Sequence, residues 1–316
     1  MSFPVFDLHC DCAWALSGND GMQRGSLLKN DRHIDLERAG TLSGYAQCFA
    51  CFTNEIDFPE GVTPVQIFER QMDTIFRELE RNSDKIRLTY NADQIEENRN
   101  NGMMSAILTI EGPAGFRYDP ELLEDLYKVG FRISSLGHND ANPLSGSHLT
   151  GGGLTELGRE YVKEAQRLGM IVDVSHISDE GFWDIMSMTS APIIATHSNS
   201  RSICNASRNI TDDMFRAICE TGGVSGINLY AGFIGENPNL DALCDHVFHF
   251  LELDPEGKHI ALGGDLDGCD QICSDFAGVQ DYPKLAQRLS ERGLDQKLIE
   301  NIFWNNALGV IRKCCT

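Results

Sequence analysis

Eight short apolar runs recur along this chain, and six of them stop at a histidine, an aspartate or a glutamate. The runs are Phe3 to Leu8, Tyr45 to Phe52, Met104 to Ile110, Phe131 to Leu136, Met170 to Val174, Ala191 to Thr196, Gly223 to Leu229 and His259 to Gly263. Each has the length and character of a buried strand. Between most of them lie segments with apolar residues at helical spacing. In Pro64 to Asn82 those residues are Val65, Ile67, Phe68, Met72, Ile75, Phe76 and Leu79. Helices are likewise predicted over Pro120 to Val129, Thr155 to Leu168, Ser178 to Met188, Thr211 to Thr221 and Leu240 to Leu253, with two closing helices near Tyr282 to Arg292 and Asp295 to Lys313. Asp84 to Asn101 reads as a further polar helix with its loops. The polar segment from Asp11 to about Gly40 reads as a loop long enough to cover a site.

Alternating strands and helices call for a parallel sheet, because parallel neighbours need a crossover. Eight such units in one chain of 316 residues predict an α/β fold, a single-domain (β/α)8 TIM-type barrel spanning residues 1–316. An open doubly wound sheet is the alternative, but no glycine-rich phosphate loop follows the first run. In a barrel the residues just past the strands share the face that carries active sites. His9 and Asp11 follow the first run, Glu111 the third, His138 the fourth, His176 the fifth, His197 the sixth, Tyr230 the seventh and Asp265 the eighth. Scattered surface histidines would not all fall there. His33, His148, His246, His249 and His259 lie elsewhere and carry a weaker signal.

The chemistry of those ends is specific. His9 and Asp11 are two residues apart, so an extended backbone aims both at one point. Imidazoles and carboxylates without thiolates suit Zn²⁺, with Mn²⁺ or Fe²⁺ as alternatives. His9, Asp11, Glu111, His176 and His197 are too many ligands for one tetrahedral catalytic ion, and suit two ions sharing a carboxylate.

Charge and cysteine usage narrow the setting. The formal net charge of -21 argues against nucleic acid. No apolar stretch is long enough to cross a bilayer, and residues 1–11 read as structure rather than a signal peptide. Eleven cysteines in so long a chain read as mostly reduced thiols of a cytoplasmic protein. Cys48 and Cys51 sit in a strand, where residues three apart face opposite sides, so they read as core packing rather than a metal pair. Cys314 and Cys315 are expected to be exposed.

His9-Cys-Asp11, Glu111-Gly112, Leu136-Gly-His138-Asn139, Asp173-Val-Ser-His176 and Thr196-His197-Ser198 resemble, in order, the motifs of the renal (membrane) dipeptidase family. So do Ala206-Ser-Arg208-Asn209, Gly263-Gly-Asp265-Leu-Asp267-Gly268 and the helix opening at Gly153-Leu-Thr-Glu-Leu-Gly. The resemblance covers nearly the whole chain. It implies a binuclear zinc barrel that hydrolyses dipeptides, including those with a D-residue at the C-terminus, through a hydroxide between the two ions. It further implies that His9, Asp11 and Glu111 hold the first zinc, and Glu111, His176 and His197 the second. His138 corresponds to the substrate-polarising histidine, Arg208 to the arginine that grips the substrate carboxylate, and Asp265 to the proton-shuttling aspartate. Spacing alone does not choose Asp265 over Asp267. Cys10 stands where the family commonly has asparagine. The animal enzyme's leader, lipid anchor and disulfides are not expected here. Another barrel hydrolase, a deaminase or lactonase, is the competing enzyme class. Those usually open on His-x-His, whereas this chain has His9-x-Asp11. A catalytically dead metal-binding protein would lack a ligand, and none is missing. The expected partner is a dipeptide, with a homodimer left open.

Overall fold

The computed structural model describes residues 3–18, 23–54 and 60–316. Part of the expected covering loop, residues 19–22, lies outside them. Nine parallel strands alternate with helices: β1 Val5–Cys10, β2 Tyr45–Phe52, β3 Ile86–Leu88, β4 Met104–Glu111, β5 Phe131–Ser135, β6 Ile171–Asp173, β7 Ile193–Ile194, β8 Ser225–Ile227 and β9 Ile260–Leu262. Their order is β7-β6-β5-β4-β2-β1-β9-β8. A parallel bridge between Ala195 and Ser225 joins β7 to β8. Ala195 donates to Val224 (3.0 Å) and accepts from Gly226 (2.8 Å) across that seam. Eight strands thus form the barrel, as the alternation predicts.

The ninth strand is a correction. Ile86–Leu88 falls inside the segment expected to be a helix with loops, and only Ala92–Asn100 of that segment is helical. β3 pairs with Met104 to Ala106 at the start of β4, whereas β5 pairs from Leu108 onward. It extends the sheet below the barrel wall without entering the ring. The first loop is also more ordered than expected, with short helices at Cys12–Ser17 and Leu36–Ala39.

Two apolar clusters divide the core. One takes Phe6, Ala46, Ile107, Ile133, Ile171, Ile194, Val224 and Ala261, one residue from or next to each barrel strand, together with Trp304, Leu308 and Ile311. This is the barrel interior, plugged from below by the C-terminal segment. The other packs the outer strand faces against helices through residues such as Phe49, Phe68, Ile75, Phe182 and Phe215. Cys48 joins the first cluster and Cys51 the second, as strand alternation requires. The last expected helix is broken into Gln296–Glu300, a π-helical turn at Asn301–Asn305 and Asn306–Cys314. Its end packs inward, so Cys315 is buried, with Sγ 3.8 Å from the Gly169 carbonyl, and Cys314 is half-buried. The expectation that both are exposed fails because the plug carries them under the barrel.

Glycine sets how tightly β7, β8 and β9 converge. A Cβ on Gly226 would stand 1.9 Å from the Thr196 carbonyl oxygen, and one on Gly263 1.7 Å from it. Thr196 directly precedes His197, so this seam also fixes the height of a site histidine. Gly226→Ala is therefore expected to cost about 1–3 kcal/mol by overpacking. It should show as a lower urea midpoint with an unchanged slope.

Candidate active site

Three carboxylates and four histidines converge above the plug from the ends of six strands or the turns after them, with His9 and Asp11 sharing β1. Glu111, the last residue of β4, is the hub. One carboxylate oxygen lies 2.9 Å from His176 Nε2 and 3.9 Å from His197 Nε2, and the other lies 3.4 Å from His9 Nε2. Asp11 stands 3.4 Å from the same His9 nitrogen. The rings of His9 and His197 stack at 3.8 Å, and His138 lies 4.4 Å from His176 centre to centre. The pairing of β1 with β2 shifts register between Asp7 and Cys10. Such a bulge re-aims a strand end, a common device beside active sites.

Two buried carboxylates hold the scaffold from behind. Asp7 accepts from the backbone N–H of His9 (3.0 Å) and of Gly264 (2.9 Å), and from the Tyr282 hydroxyl. Asp173 accepts from Ser175 N–H (2.9 Å), Thr196 N–H (2.9 Å) and the Thr196 hydroxyl (2.6 Å). Each ties a ligand-bearing strand end to its neighbour. A charged residue inside an otherwise apolar run is the sequence signal for both.

The hydrogen bonds assign the imidazole tautomers. Thr196 gives its proton to Asp173, so its oxygen accepts from His197 Nδ1 at 2.7 Å. His176 Nδ1 donates to Asn139 Oδ1 at 3.0 Å. Both Nε2 atoms therefore present lone pairs, and they lie 3.0 Å apart. Burial, reinforced by Arg208, holds the pKa of each well below the ordinary histidine value, so neither carries a second proton. Two buried lone pairs facing each other beside a carboxylate make a cation site. His9 agrees. Burial alone would lower its pKa, but Glu111 and Asp11 outweigh that and raise it well above normal. Its Nε2 is buried without a hydrogen-bond partner among the described residues. Ligand atoms lie within 4.8 Å of one another in three overlapping triplets: His9, Glu111 and His197; Glu111, His138 and His176; and His9, Asp11 and Asp265. All five residues named from sequence fall within these triplets, with Glu111 and His9 each in two. His138 and Asp265 also come within ligand range.

Asp265 and Asp267 part company in the structure. Both have left-handed backbone, with φ of 56° and 68°, so the rule that residues two apart share a side does not hold. Asp265 lines the cavity and accepts from Asn228 Nδ2 at 3.1 Å. Burial pushes its pKa up to about 6, with His9 opposing the rise and Asp11 adding to it. Asp267 instead accepts from the His33 backbone N–H at 2.7 Å, while its own N–H donates to His33 Nδ1 at 3.0 Å. It is a strut to the first loop.

Above this centre is a cavity of about 610 Å³. Its wall includes Trp14, Phe52, Phe233, Cys269 and Asp270 as well as the predicted residues Asp11, Glu111, His138, His176, Arg208, Tyr230 and Asp265. Arg208 is buried, and among the described residues its guanidinium reaches only Ser198 Oγ (3.2 Å), the His197 carbonyl (3.5 Å) and the face of Phe233 (5.5 Å), with no hydrogen-bond partner for Nε. A buried guanidinium with so few acceptors is built for an anionic ligand. His148, read as weak in sequence, also lines the cavity and bridges Asn139 Oδ1 (2.9 Å) to Ser207 Oγ (2.8 Å). It links the 142–153 loop to the segment carrying Arg208, and nothing in its local sequence marks it. The strand-end rule also passes over Trp14, Phe233 and Asp270.

The family model described as membrane dipeptidase (peptidase family M19) matches residues 1–316. An uncharacterized dipeptidase of Schizosaccharomyces pombe, C3A11.10c, is 34% identical over 66% of the chain and 52% of its own length, so the chain spans about half of that relative. Dipeptidase verJ of Clonostachys rogersoniana is 30% identical over 98% of the chain and 83% of its own length. The crystal structure of a metallo peptidase from Rhodobacter sphaeroides, liganded with a phosphinate mimic of the dipeptide L-Ala-D-Ala, superposes with a TM-score of 0.87 at 23% identity. The superposition covers 99% of this chain and all of that one (100%). Among the described residues no helix is long and apolar enough to cross a membrane.

Opposite stability effects are expected for the two aspartates in chelator-treated protein. A raised carboxylate pKa means the fold disfavours the ionised form. For Asp265 that cost is absent below the ordinary aspartate value of 3.8, grows up to about pH 6 and is complete above it. Asp265→Asn should therefore raise Tm at pH 7.5 and give no gain at pH 4. Asp267→Ala should lower stability by about 1–3 kcal/mol, because the His33 N–H loses its acceptor. Thermal melts at the two pH values check both.

Proposed function

The chain belongs to the membrane dipeptidase family, and on that premise we propose that it hydrolyses the peptide bond of free dipeptides, those with a C-terminal D-residue included. One observation carries this reading. A buried guanidinium short of acceptors and a carboxylate–imidazole cation site share one cavity. The dipeptide mimic held by the Rhodobacter neighbour supports the substrate class and the D-configuration. The cation site is proposed to hold two divalent ions bridged by Glu111. His9 and Asp11 would complete one set, and His176 and His197 the other. Nitrogen and oxygen donors favour Zn²⁺, with Mn²⁺ or Fe²⁺ as the next fits. Bound there, such ions supply Lewis-acid polarisation and a water of lowered pKa.

The chain's own residues do the rest. Arg208 receives the substrate carboxylate through two parallel hydrogen bonds. That fixes the C-terminal residue and lays the scissile carbonyl over Glu111. His138, between Phe52 and His176, polarises the carbonyl oxygen. Asp265 takes a proton from the attacking water and delivers it to the departing amine nitrogen. Burial makes this carboxylate more basic than an ordinary aspartate, which suits it to hold the proton between the two transfers. Asn228, donating to one oxygen of Asp265, keeps that carboxylate turned to the cavity. Tyr230 closes the wall against Phe233, their rings 4.7 Å apart. Eleven free thiols, seven of them buried, support a reducing compartment such as the cytoplasm.

Purified protein supplied with Zn²⁺ is expected to bind about two ions and to cleave L-Xaa-D-Xaa or L-Xaa-L-Xaa dipeptides. Glu111→Gln should lower occupancy of both sites and abolish turnover. Metal analysis showing normal loading and activity in that variant would defeat the bridged arrangement.

Asp265 and Arg208 should fail in different ways. Asp265→Asn keeps shape but cannot carry the proton, so kcat should fall by about 10²–10⁴ with KM little changed. Arg208→Met should raise KM strongly for free dipeptides and much less for dipeptide amides. Equal KM effects on acid and amide would make Arg208 a structural arginine.

A further inference from the structure

Asp270 stands at the mouth of the same cavity and takes no part in the chemistry described. Its carboxylate is exposed and makes no hydrogen bond or ion pair among the described residues. It is nonetheless held in place from both sides. The thiol of Cys269 donates to the Asp265 carbonyl, Sγ–O 2.9 Å. The Gln271 carbonyl accepts from Ala231 N–H at 3.0 Å, and an antiparallel bridge joins Ile272 to Tyr230. The 269–272 segment is thus pinned to the residues after β8 and β9, with one unpaired charge left on the rim.

Its place relative to Arg208 has chemical meaning. Gly268 packs so closely on the centre that a Cβ there would meet Asp11 Oδ2 at 2.1 Å and Asp265 Oδ1 at 2.7 Å. The segment carrying Asp270 therefore adjoins the Asp11 end of the site. Arg208 contacts the other end, through Ser198 and His197 after β7. A dipeptide whose carboxylate sits on Arg208 and whose amide lies over Glu111 has its N-terminal residue toward Asp11. The α-amine, one carbon from the scissile carbonyl, stays deep. Only the side chain extends to the rim.

We propose that Asp270 selects dipeptides whose N-terminal residue carries a cationic side chain, lysine or arginine. This rests on the dipeptidase reading and narrows it. The aliphatic stem would lie along the Trp14 wall, and the ammonium or guanidinium would meet the rim carboxylate. An overall charge of -21 adds a field that favours cations.

The test compares kcat/KM for L-Lys-Ala with L-norleucyl-Ala, the same side chain without the ammonium, each with D- and L-alanine, using the zinc-loaded full chain. A solvent-exposed ion pair supports a preference for lysine of up to about fivefold, shrinking at 0.5 M salt. Asp270→Asn should bring the ratio to about one, and Asp270→Lys should turn preference toward L-Glu-Ala over L-Gln-Ala. Moving lysine to the C-terminal position should give no Asp270-dependent preference. A wild-type ratio near one, or a ratio that survives Asp270→Asn, overturns the proposal. An equal loss on both substrates would assign Asp270 to the α-amine instead, and also overturns it. If the wild type cleaves none of these dipeptides, it is the dipeptidase reading itself that fails.

Discussion

The open end of the barrel depends on one arrangement of charge: Glu111 held among three imidazoles, two of which turn bare nitrogens toward each other 3.0 Å apart. Neutral side chains alone would not pack this way, because lone pairs repel and burial removes the water that would separate them. The same contacts become favourable once positive charge enters. The upward shift at His9 and the downward shifts at His176 and His197 are two responses to that one demand. Where carboxylates dominate, a ring takes a proton. Where burial and Arg208 dominate, the rings stay neutral as donors.

Holding such a centre costs stability, and the structure shows where the cost is met. His176 adopts left-handed backbone with φ of 70°, and Asp265 does so with φ of 56°. Non-glycine residues persist there only when their surroundings over-determine them. Asp7 and Asp173 provide that constraint. Each uses a fully committed buried carboxylate to lock two neighbouring strand ends, at β1–β9 and β6–β7. The plug formed by Trp304 and Leu308 below, and the glycine-tight seam at Thr196, supply packing far from the chemistry.

Much of this was legible from residue order alone. In a parallel barrel every strand points the same way, so a polar residue that ends an apolar run must lie on the active face. His9, Glu111, His138, His176 and His197 could therefore be placed without any contact being known. What stayed hidden had local physical reasons. β3 is three residues long with polar flanks, so it carries no periodicity. Cys315 looks exposed because burial by the plug is a tertiary fact. Asp265 and Asp267 have equivalent spacing, so only the family resemblance chose between them, and it is left-handed backbone at both that turns one to the cavity and the other to His33. Asp11 lies one residue past β1, yet still reaches His9, so the strand rule reached the right answer slightly beyond its range. His148 and Asp270 sit in loops whose paths no pattern specifies.

The cavity's polarity suits a dipeptide better than a longer chain. Arg208 touches the backbone carbonyl of His197, itself a residue of the cation site. In the proposed binding mode Arg208 holds the substrate's terminal carboxylate, and one residue, roughly 3.5 Å of extended chain, separates it from the scissile bond. A substrate whose free carboxylate must occupy that position can place just one residue between it and the scissile bond. In that mode the buried guanidinium would disfavour an internal segment that offers a neutral amide instead of a carboxylate. On the other side the site rises to an open rim, which leaves the N-terminal side chain less tightly confined. On this proposal length is restricted at the closed end by charge, and side-chain choice falls to the open end, where loops rather than strands form the wall.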